Sequence, residues 1–259
     1  MTWTTRPRSD LSGLAAITEG EGPLIVMIHG VGLRSEAWNG QIDPLCERFR
    51  VVAVDMPGHG ESLVPTNDFE LPSYTNAIAS VIDEPALVVG HSMGGMIALD
   101  LAHRYPDKVQ GVAALNAVFE RHAEATKAVQ ARAAGLDGVT VSDPSATLTR
   151  WFGDEPSPER SACQDWLTSV SPRGYKMAYT AFAHNDGPTQ NSLAALYCPS
   201  LFMTGADEPN STPEMSIAMA SLAQNGSAKV VEGAAHMMPM THRDEVNAAL
   251  MEFAGQVFQ

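Results

Sequence analysis

Six short, mostly apolar runs recur along the chain, and each is followed at once by a glycine or a polar residue. They occupy residues 24–28, 51–54, 86–89, 109–115, 200–204 and 229–231. Strands that are buried on both faces give continuous apolar runs of this length, whereas half-exposed strands alternate between apolar and polar positions. The pattern therefore predicts six strands of a largely parallel sheet.

Helical patterns lie between these runs and close the chain. They cover residues 35–49, 73–82, 94–105, 213–222 and 244–258. Regular alternation of strand and helix predicts an α/β fold, in which a mostly parallel, doubly wound sheet carries helices on both faces. Residues 2–18 are expected to add one or two antiparallel edge strands.

One long stretch, from residue 119 to residue 191, contains no strand pattern. Helical patterns fill it instead, at residues 119–135, 142–152 and 158–183. A structureless loop of that length is uncommon in a compact domain, so the stretch predicts an inserted helical cap. The core is then expected to comprise residues 1–118 and 192–259. Because open α/β sheets bind ligands at the carboxyl ends of their strands, we expect the cap to cover the site.

The charge balance limits the classes of partner. Sixteen Lys and Arg residues against thirty Asp and Glu residues give a net charge of −14. Nucleic acids and anionic membranes both require a positive field, so neither is expected as a partner. A neutral, apolar small molecule is the expected substrate. The sequence leaves the oligomeric state open, a homodimer included.

The cysteines and the amino terminus bear on the compartment. Cys46, Cys163 and Cys198 show no paired spacing, as is usual in a reducing compartment. Residues 1–11 lack the apolar region of a signal peptide, and no run approaches eighteen apolar residues. We therefore expect a cytoplasmic protein. The sequence has neither a metal-site spacing nor a G-x-G-x-x-G loop, so no metal and no cofactor are expected.

A serine stands in a G-x-S-x-G motif, Gly90-His91-Ser92-Met93-Gly94, directly after an apolar strand and directly before a helix. This is the context of a nucleophile elbow, in which the serine sits on a sharp, strained turn between glycines. The amino terminus of the following helix provides free N–H groups for a developing oxyanion. The motif predicts that Ser92 is a catalytic nucleophile.

A serine nucleophile requires a base and a carboxylate that orients it. Of the eight histidines, His236 follows the last predicted strand and so lies at the same edge of the sheet as Ser92. His91 is expected to have a packing or hydrogen-bonding role. Two acids, Asp207 and Glu208, follow the strand at residues 200–204, which gives the chain order serine, acid, histidine.

The sequence resembles the serine hydrolases of the α/β-hydrolase fold, in particular carboxylesterases and enol-lactonases with a helical cap. The motifs are His29-Gly30-Val31-Gly32, the segment at residues 55–62, the Ser92 elbow, and the acid loop with Gly233-Ala234-Ala235-His236. The resemblance implies that the amides of Val31 and Met93 form the oxyanion hole. It also implies that the segment at residues 55–62 is a structural turn and that His59 takes no part in catalysis.

The acid loop departs from the usual pattern of these families, which place Asp three residues after the glycine. Counted from Gly205, that position is Glu208, and Asp207 precedes it. The register therefore favours Glu208 as the acid of the triad, with Asp207 as the alternative.

The predicted cap is expected to shape the substrate pocket. We expect the pocket to be lined by Trp151, Phe152, Tyr179 and Met237. Arg150, Arg173 and Lys176 could bind a substrate carboxylate, although exposed, solvated faces of the cap are the favoured interpretation.

These residues predict hydrolysis of a small to medium carboxylic ester or lactone through an acyl-enzyme. One alternative is C–C bond or enol-lactone hydrolysis of the kind found in aromatic catabolism. A second alternative, of a different class, is a ligand-binding member of the fold without turnover.

Overall fold

The computed structural model describes residues 3–259 and contains one eight-stranded sheet. Its strands are β1 Ser9–Leu11, β2 Leu14–Glu19, β3 Leu24–Ile28, β4 Arg50–Val54, β5 Ala86–His91, β6 Val109–Leu115, β7 Ser200–Gly205 and β8 Gly226–Val231. Their spatial order is β1-β2-β4-β3-β5-β6-β7-β8. The first two strands are antiparallel to their neighbours, and all the other pairs are parallel. The predicted fold class is confirmed.

Eleven α-helices accompany the strands of the described chain. They are α1 Asn39–Leu45, α2 Leu71–Ala79, α3 Met93–Arg104, α4 Ala123–Ala134, α5 Ser145–Phe152, α6 Pro158–Ser169, α7 Pro172–Ala183, α8 Gln190–Ala194, α9 Pro213–Leu222, α10 Met238–Thr241 and α11 Arg243–Val257. The helix predicted from residue 35 begins as a 3₁₀ turn, Ser35–Trp38, before α1. None of the described helices has the length and apolarity needed to span a membrane.

Alternate residues of the central strands enter two separate cores. In β3, Val26 and Ile28 face one core, while Ile25 and Met27 face the other. The first core includes side chains of α2, α3, α8 and α9, and the second includes side chains of α1 and α11. This two-sided burial explains why the strands read as continuous apolar runs, and it makes the sheet doubly wound.

One edge of the sheet differs from the sequence pattern, and the other matches it. Strand β8 begins at Gly226, three residues before the apolar run, and its first residues are partly exposed. Because the side chains at the start of this edge strand are not buried, the segment needs no apolar residues there. At the other edge, β1 and β2 form the expected antiparallel pair through a turn at Ser12 and Gly13, both with positive φ. Thr2, the first residue of the predicted edge segment, lies outside the described residues.

Residues 116–199, between β6 and β7, carry five helices and no strand. Helices α4 and α7 pack together, as do α5 and α6. The fifth, α8, crosses the boundary predicted at residues 191 and 192 and packs against α3 and α9, which belong to the core layers. The division into a core and a cap stays a proposal, with its second boundary better placed before α8.

Candidate active site

Ser92 lies between β5 and α3 with φ 58° and ψ −121°, a backbone conformation that L-residues rarely adopt. Its amide donates a hydrogen bond of 2.8 Å to the carbonyl of Leu115 at the end of β6. A Cβ on Gly90 would overlap the carbonyl of Gly94, and a Cβ on Gly94 would overlap the carbonyl of Ile28. The two glycines of the motif are therefore required for helix α3 to approach the sheet this closely.

His236 lies in the loop after β8, and its ring contacts Glu208 directly. The Nδ1 atom of His236 donates to Oε2 of Glu208 at 2.8 Å. The other carboxylate oxygen accepts the amides of Asn210, at 2.7 Å, and Ser211, at 3.3 Å. Burial raises the pKa of Glu208, but the charge and hydrogen bond of His236 and the two amides outweigh it and lower the pKa to about 2.

The two acids of the loop are placed differently. Glu208 is only 2% exposed and contacts His236, whereas the neighbouring Asp207 is exposed. The amide of Asp207 donates a hydrogen bond to the carbonyl of Ala234. This bond holds the acid loop against the loop that carries His236. The geometry thus brings Glu208 to the imidazole and turns Asp207 toward solvent.

Two further aromatic rings contact His236. His91 lies 5.0 Å from it between ring centroids, and its Nε2 donates to the main-chain carbonyl of His236 at 2.7 Å. Burial, with the nearby charge of His236, lowers the pKa of His91 to about 3, so this ring is neutral. From the helical stretch between β6 and β7, Trp151 of α5 stacks on His236 at 5.4 Å and 21°. The imidazole thus has an aromatic ring beside it from each of two elements, His91 from the end of β5 and Trp151 from α5.

A cavity of about 660 Å³ opens at the carboxyl ends of the central strands, and both Ser92 and His236 line it. Its volume lies in the range typical of small-molecule sites. Val31 also lines it, and Met93 is the first residue of α3, where a helix leaves its N–H groups without intrahelical partners.

Of the four predicted pocket residues, Trp151 and Tyr179 line this cavity, and Phe152 and Met237 do not. Met237 is buried in an apolar cluster that includes Leu33, and Phe152 packs against the same cluster. Trp151 of α5 lines the cavity and stacks on His236, whereas Phe152, the last residue of that helix, does not line it. The aromatic wall is completed by Tyr175 and Phe182 of α7.

No hydrogen bond or ring contact joins the turn at residues 55–62 to Ser92, His236 or Glu208. Its carboxylate, Asp55, accepts hydrogen bonds from Ser35 and from Arg8. His59 is buried beside His29, and its burial and that neighbour lower its pKa to about 3. The geometry fits the structural role expected for this segment.

Sequence reasoning missed two arginines of the cavity wall, Arg121 and Arg132, which line it together with Arg150. Both lie in the stretch predicted to be helical at residues 119–135, whose mixed polarity does not distinguish them from solvated side chains. Arg173 and Lys176 line a different cavity beside α2. Among the described residues, no group of three or more His, Cys, Asp and Glu side chains is placed to hold a metal ion.

Comparison with known proteins identifies the family. A model of the alpha/beta hydrolase family matches residues 25–249. The chain belongs to the alpha/beta hydrolase family. The resemblance inferred from the four sequence motifs is thereby confirmed. Among solved structures, an esterase from Thermogutta terrifontis covers 99% of this chain and all of its own with a TM-score of 0.85 at 24% identity, which shows the common fold.

Two relatives in this alpha/beta hydrolase family match most of the chain. The (E)-2-((N-methylformamido)methylene)succinate hydrolase of Acinetobacter baylyi is 38% identical over 239 residues, 90% of either chain. A pimeloyl-[acyl-carrier protein] methyl ester esterase of Stenotrophomonas maltophilia is 32% identical over 244 residues, 90% of this chain and 93% of its own. The family and these relatives support hydrolase activity for the chain.

Proposed function

We propose that the protein is a serine hydrolase that cleaves a small to medium carboxylic ester or lactone through an acyl-enzyme. One observation carries the proposal: the strained Ser92 elbow and the His236–Glu208 pair meet at the same cavity. A serine hydroxyl, an imidazole and a buried carboxylate in this relation are the parts that acyl transfer requires.

In the proposed reaction, Ser92 attacks the acyl carbon while Nε2 of His236 takes the hydroxyl proton. Glu208 accepts from Nδ1, so the imidazole presents an unprotonated Nε2 to the serine and is stabilised when it becomes charged. The proton then passes to the leaving alkoxide. In the second half, His236 deprotonates water, which attacks the acyl-enzyme and releases the acid and free Ser92.

The amides of Val31 and Met93 are proposed to stabilise the oxyanion. Gly94 lies against the carbonyl of Ile28, so the first turn of α3 meets the end of β3, just ahead of Val31. This contact brings the two amide-bearing segments together beside Ser92. Each donor of an oxyanion hole contributes about 3 kcal/mol to the lowering of the barrier.

Labelling by a fluorophosphonate tests the proposal directly. We expect a single adduct on Ser92 of the folded protein, located by peptide mass spectrometry, with loss of activity toward 4-nitrophenyl butyrate in proportion to labelling. Heat-unfolded protein serves as the control, because an isolated serine is a weak nucleophile. Folded protein that leaves Ser92 unlabelled contradicts the proposal, and tight ligand binding without turnover would favour the ligand-binding alternative.

A second candidate reaction is hydrolysis of an amide attached to a methylene succinate. Its support is the 38% identity, over 90% of either chain, to the relative that bears the name of such a hydrolase. The same serine, base and oxyanion amides can act on an amide carbonyl, with His236 protonating the leaving nitrogen.

A direct comparison of substrates decides between the two reactions. If the second candidate is right, kcat/KM for (E)-2-((N-methylformamido)methylene)succinate exceeds that for methyl and 4-nitrophenyl esters of short acids by about 100-fold or more, equivalent to about 3 kcal/mol of transition-state binding. Product is followed by chromatography, with Ser92→Ala as the blank. Turnover of the esters alone restricts the protein to the first reaction.

A further inference from the structure

The cap side of the active-site cavity concentrates positive charge in an acidic protein. Arg121, Arg132 and Arg150 all line the cavity that contains Ser92 and His236. The chain as a whole carries a net charge of −14. Aromatic side chains form much of the same wall, and a wall of low polarity strengthens the field of a nearby guanidinium. The cavity wall thus carries three arginines against two glutamates, Glu120 and Glu214, in a chain with a large excess of acidic residues.

Arg132 of α4 is held in one orientation by the cap. Its Nη2 donates to Oγ1 of Thr147 at 3.1 Å and to the hydroxyl of Tyr175 at 3.0 Å, and its guanidinium lies 4.9 Å from the ring of Tyr179. None of these partners is charged. Nε and Nη1 have no acceptor among residues 3–259, so they remain able to donate to a ligand.

Arg150 lies on α5 next to two residues that contact other parts of the site, Thr147 and Trp151. Thr147, Arg150 and Trp151 are spaced i, i+3 and i+4, which places them on one face of the helix. Thr147 binds Arg132, and Trp151 stacks on His236. A ligand that reaches from Ser92 toward Thr147 would therefore pass along this face, which carries Arg150, and approach Arg132, which donates to Thr147.

Neither of these two arginines is paired with an acidic side chain. No carboxylate in the described part of the chain forms a salt bridge with Arg132 or Arg150. Two glutamates, Glu120 and Glu214, also line the cavity; both are exposed, as is Arg150, and Glu120 accepts from Gln190 at 2.7 Å.

Most donors of the Arg121 side chain are already used in hydrogen bonds to residues at the end of α7 and just after it. It donates to Asp186 and to the carbonyls of Phe182 and Asn185. It adds charge to the cavity wall but offers few free donors to a ligand, and it is left out of the proposed subsite.

We propose that Arg132 and Arg150 form a subsite for a carboxylate of the substrate. The substrate class is then an acyl compound that carries a second, anionic carboxylate away from the bond that is cleaved. This inference rests on the proposed function of Ser92. It differs from the neutral substrate expected from the net charge, because a net charge does not report the field inside one cavity.

The test uses matched substrates that differ only in charge. Monomethyl esters of succinic, glutaric and adipic acids are compared with the corresponding esters whose free carboxylate is replaced by a primary amide. In Arg132→Gln and Arg150→Gln, KM for the carboxylate esters is expected to rise about 10- to 100-fold, while kcat and the kinetics of the amide esters change less than about threefold.

Lys127→Gln is the matched control, because Lys127 is an exposed cation on the same helix as Arg132 and does not line the cavity. It should leave KM and kcat for both sets of esters unchanged.

Two further comparisons separate charge from packing. Arg132→Lys keeps the charge, so KM for the carboxylate esters should rise less than in Arg132→Gln. Arg150→Gln breaks no hydrogen bond between cap helices, so its effect is independent of any loss of packing around Thr147 and Tyr175. An equal effect on the charged and neutral esters would overturn the subsite.

Binding measurements separate this inference from the proposed function. Ser92→Ala should bind monomethyl glutarate in a calorimeter, and Ser92→Ala with Arg132→Gln and Arg150→Gln should bind it at least about 10-fold more weakly. If the wild-type protein hydrolyses none of the esters, the proposed function fails while this measurement still decides the subsite. Equal affinity in the two proteins refutes the subsite even where hydrolysis is observed.

Discussion

Replacing Ser92 by alanine is expected to lower kcat by about 10⁵-fold or more, because the substitution removes the hydroxyl that forms the acyl-enzyme in the proposed reaction. The small residual rate would come from substrate binding and the oxyanion amides. Alanine retains the Cβ of serine, so the φ of 58° costs about the same in both proteins and the fold should be unchanged. Steady-state hydrolysis of 4-nitrophenyl butyrate and thermal unfolding measure the two quantities.

The matched control for this substitution is Ser12→Ala. Ser12 has φ 55°, nearly the value of Ser92, but it is exposed in the turn between β1 and β2. It should retain full activity, which separates the loss of the hydroxyl from any effect of a serine-to-alanine change at positive φ. Retention of more than about 1% of wild-type kcat in Ser92→Ala is incompatible with nucleophilic catalysis by this residue.

The central strands could be predicted because burial on both faces leaves continuous apolar runs. The runs at residues 24–28 and 109–115 match β3 and β6 at both ends. The edge strand β8 lacks that constraint because the side chains at its start are not buried, so its beginning at Gly226 carries no apolar signal. Helix α8 escaped prediction for a related reason, since a five-residue helix is too short to show a period.

In the candidate site, the positions of the catalytic candidates could be predicted from the sequence, whereas those of the cavity wall could not. Ser92, His236 and Glu208 each follow a core strand, and parallel strands bring their carboxyl ends to one edge, so topology alone predicts their proximity. The cavity wall depends on how each cap helix is rotated, which neighbouring residues do not reveal. Trp151 and Phe152 both pack against the apolar cluster that includes Leu33, but only Trp151 also lines the cavity and stacks on the imidazole. Arg132 likewise became a site residue only through its contacts with Thr147 and Tyr175.

Replacing Glu208 by glutamine is expected to lower kcat by about 10³- to 10⁴-fold, although it changes the side chain little in size. The amides of Asn210 and Ser211 both point at one side-chain oxygen, so they require an acceptor there. The amide oxygen of a glutamine would take that place, and its NH₂ group would face Nδ1 of His236. The imidazole would then carry its proton on Nε2, where it cannot accept the proton of Ser92.

The matched control, Asp207→Asn, removes the same charge from the adjacent, exposed position and should leave kcat within about threefold of wild type. The reverse result, with Asp207→Asn inactive and Glu208→Gln active, would exchange the roles of the two acids.

The stability of the protein in acid gives a second test of Glu208. Because the pKa of Glu208 falls from 4.5 to about 2 on folding, ionised Glu208 stabilises the fold above pH 4.5, and this contribution is lost as the pH falls toward 2. Glu208→Gln lacks that contribution at every pH, so its unfolding free energy should fall less steeply than that of the wild type between pH 5 and pH 2.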